Sequence, residues 1–266
     1  MTDNPWHYIG VDWDSGAWVA VGYPDTRQAE PAVFDTIEDL WREHGTTAER
    51  IVVDVPIGLC ESHDAADGCV ETDGELSRRY DDLARQVLGP QSLSVFTAPC
   101  RDAAKAAADG AEYSDVNETN EDRTGKGLMQ QAANIAPGIV EVEKLLLDHG
   151  ASTTLVEGHP EVCFRAFADD VLQYNKKTAP RMDERLSALE YSTEYEQGTW
   201  RRLAETLGEN GHETGADDLL DALSLALTAR ASADEFHQLP SDPPTDAASL
   251  PMQMVYRRPE PFDIDG

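Results

Sequence analysis

One stretch limits the fold of this chain more than any other: Arg50-Ile51-Val52-Val53-Asp54-Val55, apolar from Ile51 onward except at Asp54. A strand apolar on both faces belongs in the middle of a sheet that is covered on both sides, which is the mark of parallel, helix-covered sheets. The residues before it read differently. His7-Tyr8-Ile9-Gly10-Val11-Asp12-Trp13 is a strand, Ser15-Gly16 a turn, and Ala17-Trp18-Val19-Ala20-Val21-Gly22-Tyr23 a return strand, together a hairpin signal. A short third strand near Ala32-Val33-Phe34 leads into a helix over Thr36–Arg42, with Asp35 or Thr36 as N-cap and Gly45 as its stop. A hairpin meander feeding a parallel crossover makes an α/β fold, a mixed sheet with helices on its faces.

Residues 57–76 are polar, carry Gly58, Gly68 and Gly74, and read as an insertion loop. Ser77 to Leu88 is helical and Gly89-Pro90 ends it. Helices are predicted near 100–109, 127–135 and 138–149, a strand at Thr153–Glu157, and further helices over 161–170, 181–190, 196–208 and 216–231. From Ser232 onward the prolines at 240, 243, 244, 251, 259 and 261 predict an extended tail, with Met252–Arg257 available as an edge strand. The organisation expected is one domain over residues 1–232, with insertions at about 57–76 and 97–150, followed by a proline-rich tail over 233–266.

Acids stand where this fold would use them. Asp12 closes the first strand and Asp54 the fourth; if those strands are parallel neighbours, both emerge at one carboxyl edge, where α/β sheets bind ligands. A carboxylate set in a buried strand costs on the order of several kcal/mol unless it is paired or binds a cation. Capping the following turn is the plain alternative for either acid alone, and it weakens when the same placement occurs twice.

A second group lies in Asp217-Asp218-Leu219-Leu220-Asp221-Ala222-Leu223. Asp218 and Asp221, three apart, fall on one helix face, while Leu219, Leu220, Leu223 and Leu227 cover roughly the other side. Thr214 with Asp217 fits a capping box, which accounts for Asp217. Asp218 could serve the helix dipole, and Asp221 is the least explained. Glu157 ends an apolar run and is a further candidate, whereas Glu161 sits at a helix start and His159 before a proline, both with ordinary structural uses. Arg79, Asp82 and Arg85 recur at helical spacing and read as an ion-paired surface.

Four cysteines do not make a disulfide framework. Cys60, His63 and Cys69, with Cys100 or His159, match no closed zinc pattern, so reduced thiols are expected. No apolar stretch approaches the roughly 20 residues that span a bilayer, and the N-terminus lacks the parts of a signal peptide, so a cytoplasmic protein without a membrane partner is expected.

Charge bears on partners. Against 51 acids there are 21 basic residues, five of them lysine, for a formal net charge of −30. This lysine-poor, acidic composition resembles that of halophilic cytoplasmic proteins; self-repulsion is largely screened at about 1 M salt, where the Debye length is roughly 3 Å. It disfavours a nucleic-acid partner at low salt, since phosphate binding rests on Lys and Arg. Lys126 lacks Walker spacing, and no G-x-S-x-G, H-E-x-x-H or G-x-G-x-x-G occurs.

Gly10-Val11-Asp12, Asp54-Val55-Pro56-Ile57-Gly58-Leu59, Arg79 with Asp82 and Arg85, Phe96-Thr97-Ala98-Pro99, Glu157-Gly158-His159-Pro160-Glu161 and Asp218-x-x-Asp221-Ala222 occur in that order. Over about residues 8–230 this set resembles the domain-of-unknown-function family 429, a group predicted to be nucleases of the RNase H-like superfamily. The last segment also resembles the terminal helix of Holliday-junction resolvases, with Asp218 and Asp221 matching its two catalytic aspartates. The resemblance implies a five-stranded sheet ordered 3-2-1-4-5 with strand 2 antiparallel to its neighbours. It also implies Mg²⁺ or Mn²⁺ held by Asp12, Asp54, Asp218 and Asp221, with Glu157 as a further catalytic member.

The expected activity is hydrolysis of phosphodiester bonds by a carboxylate two-metal mechanism, in which Asp12 bridges ions about 3.5–4 Å apart. Oxygen ligands favour Mg²⁺ or Mn²⁺ over zinc. Two other readings are an ATP-dependent phosphotransferase of the same superfamily, and a non-catalytic binding or scaffold protein that keeps the fold.

Overall fold

The structure is a computed structural model, and it describes residues 5–14, 16–24, 28–62, 68–168, 170–174 and 178–264. Strands β1 (Tyr8–Asp14) and β2 (Ala17–Tyr23) form the expected hairpin, with Asp12 opposite Val19, and β3 (Glu30–Phe34) pairs antiparallel with β2. Helix α1 (Ile37–Leu40) continues as one π turn to Gly45; Thr36 caps it, accepting from the Asp39 amide at 3.1 Å. The apolar run becomes β4 (Arg50–Val53), parallel to β1 with Val11 beside Val53. The hairpin β5 (Cys69–Thr72) and β6 (Glu75–Arg78) leads into α2 (Arg79–Leu88). Helices α3 (Arg101–Ala108), α4 (Tyr113–Thr124) and α5 (Gln130–His149) follow, then β7 (Leu155–Glu157), which lies parallel to β4. The chain continues through α6 (Pro160–Phe167), α7 (Ala179–Leu189), α8 (Thr199–Glu209) and α9 (Ala216–Ala229), and closes with the antiparallel pair β8 (Phe236–Leu239) and β9 (Met254–Arg257).

The fold is α/β. Its main sheet runs β3-β2-β1-β4-β7, which is the expected order 3-2-1-4-5 once the extra hairpin is counted. Alternation along the strands divides the core. Ile9, Val11, Trp18, Ala20, Ile51, Val53 and Leu155 face α1, α3 and α5, while Val19, Val21, Val52 and Val156 face α6 to α9. The stretch around 97–150, expected as an insertion, therefore supplies in α3 and α5 two of the three helices that cover one face. Among the described residues no helix is long and apolar enough to cross a membrane.

Several elements differ from expectation, each for a local reason. The segment expected as a loop over 57–76 contains the β5–β6 hairpin, whose turn residues Asp73 and Gly74 both have positive φ (53° and 82°), the Asp-Gly hairpin signature. Helix α4 has almost no apolar stripe; Val116, Asn120 and Thr124 are its buried residues. Asn120 fastens it by accepting from the Cys100 amide at 2.7 Å and donating to the Lys126 carbonyl at 2.7 Å. The two helices expected at 127–135 and 138–149 are one, α5, which runs through Pro137 because Ala136, Gly138 and Ile139 pack against the sheet on either side of it.

The expectation of reduced thiols fails for one pair. Cys60 and Cys69 form a disulfide, their Cα atoms 6.1 Å apart. A zinc site on these two, the alternative that the sequence disfavoured, is thereby excluded; His63, the third residue considered for it, lies outside the described residues. Cys100 and Cys163 are free and buried.

Candidate functional site

Asp12 and Asp54 reach the same place through strand geometry. Asp12 lies two residues beyond Gly10, and Asp54 two beyond Val52, so alternation turns both toward the α9 side of the sheet. The Asp54 amide donates to the Val11 carbonyl at 2.9 Å, continuing the parallel ladder and fixing Asp54 beside Asp12. Helix α9 crosses directly above. At Gly10 a Cβ would lie 2.1 Å from the Ala222 carbonyl oxygen and 2.1 Å from the Ala226 nitrogen, so helix and strand touch backbone to backbone. That contact sets the height of α9 over the sheet and hangs its N-terminal turn over the carboxyl end of β1. From Leu219 to Ala229 every residue of α9 is buried, so Asp221 belongs to a helix enclosed all round, not to a solvated face.

These placements meet in one cavity of about 260 Å³. Asp12, Asp54, Glu157, Asp217, Asp218 and Asp221 line it, together with the apolar side chains of Trp13, Val95, Phe96, Ile135 and Met254 and with Arg78 and His159. All five acids expected at the site are there. Asp217 joins them: α9 begins after Gly215, with no side chain capping it, so the capping box expected from Thr214 and Asp217 does not form.

Each acid is held differently. Asp12 is 7 % exposed and its Oδ1 accepts from the Trp13 amide at 2.9 Å. Asp218 folds back over Gly215, where a Cβ would come within 2.2 Å of its Oδ2. Asp221, 5 % exposed, has Oδ2 3.9 Å from Arg181 Nη2. Burial pushes the Cys163 thiol up to about 12 despite a hydrogen bond with Thr228, and the charges of Asp54 and Asp221 add to the rise. That thiol therefore lies where the field of both acids is felt.

Glu157 is committed elsewhere. Its Oε2 accepts from the Ile57 amide at 2.6 Å, and Arg78 reaches both of its oxygens at 3.1 Å while also pairing with Asp81 at 2.6 Å. Burial, with Arg78 offsetting it only in part and Asp81 adding to it, pushes Glu157 up to about 7. Glu161 makes a separate buried network: Arg181 holds it at 3.0 Å and Arg185 at 2.5 Å. Burial alone would raise Glu161, but the two arginines outweigh it and hold its carboxyl below the ordinary value. Its place in the first turn of α6 is thus the anchor of an ion-pair cluster more than a dipole partner. His159 caps α6, its Nδ1 accepting from the Glu161 amide at 3.2 Å, and its Nε2 lies 3.3 Å from the Ser94 carbonyl, which ties down the segment that carries Phe96.

Two arginines were not legible in advance. Arg79, the residue in the ordered motif set, is exposed and borders the tail hairpin; its neighbour Arg78 enters the cavity. Arg181 stands beside Asp221 from α7, and the i, i+4 spacing of Arg181 and Arg185 was the one available signal. Arg85 and Asp82 pair at 2.6 Å as expected.

The donor set is all oxygen, the kind suited to Mg²⁺ or Mn²⁺. In spacing it is open: among the described residues no three His, Cys, Asp or Glu side chains are gathered closely enough to hold an ion. Asp12 and Asp221 each have a protein partner, the Trp13 amide at 2.9 Å and the Arg181 guanidinium at 3.9 Å.

A family model described as "Protein of unknown function (DUF429)" matches residues 10–245. No curated protein and no solved structure matches the chain.

Proposed function

The chain belongs to the DUF429 family, and from that premise we propose that it is a metal-dependent phosphodiester hydrolase of the RNase H-like kind, acting on nucleic acid. The observation that carries this reading is the convergence of Asp12, Asp54, Asp218 and Asp221, from three distant parts of the sequence, on one cavity at the carboxyl edge of the sheet. Carboxylates that face one cavity disfavour one another's ionised form, and a bound cation would offset that.

Asp12, Asp54, Asp218 and Asp221 would hold Mg²⁺ or Mn²⁺, and such ions supply activated water and neutralise charge on a phosphodiester. The chain's own residues do the rest. Asp12 and Asp54 are fixed by the sheet, whereas Asp218 and Asp221 ride on α9 and close the site from above. The apolar side chains of Trp13, Phe96, Ile135 and Met254 offer contacts for a base, an attraction that does not depend on basic side chains. With Arg78 committed to Glu157 and Asp81, and a net charge of −30, affinity from phosphate contacts alone would be weak at low salt.

A second reading, a non-catalytic protein that keeps the fold, is favoured by the open spacing of the acids. Cleavage assays in molar KCl with Mn²⁺ decide between them. Wild-type protein should cut single- or double-stranded oligonucleotides, and Asp12→Asn and Asp221→Asn should abolish cutting while leaving the circular dichroism spectrum unchanged. Variants that cleave as fast as wild type would sink the hydrolase reading, and a wild type that neither binds Mn²⁺ nor cleaves would establish the second.

A further inference from the structure

The segment that carries Asp54 is held at both ends, and the second anchor is built on Glu157, itself one of the acids that line the cavity, together with Tyr80. At its start the Asp54 amide donates to the Val11 carbonyl at 2.9 Å. Three residues on, the Ile57 peptide is gripped on both sides: its N–H donates to Glu157 Oε2 at 2.6 Å, and its carbonyl accepts from the Tyr80 hydroxyl at 2.6 Å. That hydroxyl also lies 2.8 Å from Glu157 Oε2. Arg78 completes the clamp, donating to both oxygens of Glu157 and both of Asp81 and touching the Tyr80 hydroxyl. Arg78, Tyr80, Asp81 and Glu157 are each at most 4 % exposed.

We propose that Glu157 is a positioning residue, which with Tyr80 and Arg78 clamps the Ile57 peptide and so fixes Asp54 in the cavity, and is not itself an ion ligand. The assignment rests on the reading that Asp54 holds a metal. Two features support it. Both Glu157 oxygens already accept hydrogen bonds, Oε2 from the Ile57 amide and Arg78 and Oε1 from Arg78, so an ion could reach them only by displacing Arg78 or the Ile57 amide. Displacing Arg78 would strip a buried guanidinium of one of its two carboxylates, which is strongly unfavourable. The clamp also reaches the loop where nothing local could: Glu157 is 100 residues from Ile57 and Tyr80 is 23. With the Asp54 amide hydrogen-bonded into the sheet and Ile57 pinned, the backbone between them has little freedom to carry Asp54 away from the cavity.

Two conservative variants separate clamp from ligand, and neither removes bulk from the core. Tyr80→Phe deletes one hydroxyl; Glu157→Gln keeps an acceptor for the Ile57 amide but loses the charge facing Arg78. Mn²⁺ titration by calorimetry in about 2 M KCl should give both variants the wild-type stoichiometry, with affinity weakened about three- to tenfold, while Asp54→Asn loses bound metal. Hydrogen exchange of the Ile57 amide should be at least about tenfold faster in Tyr80→Phe. Loss of one ion per chain in Glu157→Gln, with Tyr80→Phe behaving as wild type, would make Glu157 a ligand and overturn the proposal. So would an Ile57 exchange rate unchanged in Tyr80→Phe. A wild type that binds no Mn²⁺ would instead refute the metal reading of Asp54, and the exchange arm would still decide whether the clamp exists.

Discussion

Gly10 of β1 and Ala222 of α9 meet backbone to backbone: a Cβ built on Gly10 would lie 2.1 Å from the Ala222 carbonyl oxygen. The sheet and the helix that carry opposite halves of the acidic cavity are therefore in register through a glycine two residues before Asp12 and a residue next to Asp221. Fold and site share this contact, because whatever lifts α9 from β1 also lifts Asp218 and Asp221 from Asp12 and Asp54.

Gly10→Ala tests that coupling. The atoms in the way are backbone, not the end of a flexible side chain, so the helix must shift, and overpacking of this kind costs about 1–3 kcal/mol or more. Guanidinium denaturation should show a lower midpoint with an unchanged m-value. Gly208→Ala in α8, where a Cβ meets nothing within 4 Å, is the control and should be neutral or stabilising. Equal midpoints for the two variants would mean that the contact at Gly10 is not tight in solution.

The pH dependence of stability should carry two opposed contributions. His44, stacked on Trp6 and accepting from the Trp6 amide at 3.2 Å, is held down at about 4 by burial, against an ordinary 6.5. Across that interval the unfolded chain binds a proton that the folded chain refuses, so this group makes stability rise with pH. Glu157, pushed by burial to about 7 from 4.5, does the reverse: the folded chain keeps a proton that the unfolded one has lost, and stability falls as pH rises through that window. Denaturation of wild type, His44→Gln and Glu157→Gln between about pH 4.5 and 7 should give a slope of stability against pH that is less positive in His44→Gln and more positive in Glu157→Gln. Slopes that move the other way would contradict the burial of one or both groups.

Salt should stabilise this protein. With a net charge of −30, screening from about 10 Å at 0.1 M salt to about 3 Å at 1 M removes far more repulsion than it costs in surface ion pairs such as Arg42–Asp39 or Arg201–Glu205. The melting temperature should climb between about 0.1 and 2 M KCl. A flat or falling curve would show that the acids are not in net conflict in the folded state.

Much of the architecture was legible because its signals are local. The apolar run before Asp54 identified a doubly covered central strand and the Ser15-Gly16 turn signalled the β1–β2 hairpin, whereas the order of the main sheet was implied by the family resemblance and not by any local signal. Asp12 and Asp54 could be placed at one edge because strand alternation and parallel pairing fix both the end and the face. Errors arose where a local signal was faint or shared. Helix α4 lacks an apolar stripe, the Asp73-Gly74 turn was hidden in a polar stretch, and Thr214-x-x-Asp217 has the form of a capping box but makes none.

By itself, then, the sequence determined which residues alternate, which strands are buried on two faces, and which acids stand at strand ends, since periodicity is written in neighbouring residues. Only the tertiary structure decided what each acid touches. Glu157 was indistinguishable in pattern from Asp12 and Asp54 until Arg78, 79 positions away, took both of its oxygens; Asp221 acquired Arg181; and Cys60 found Cys69. A carboxylate's role depends on the charges and donors packed within a few ångströms of it, and in a folded chain those neighbours come from anywhere in the sequence.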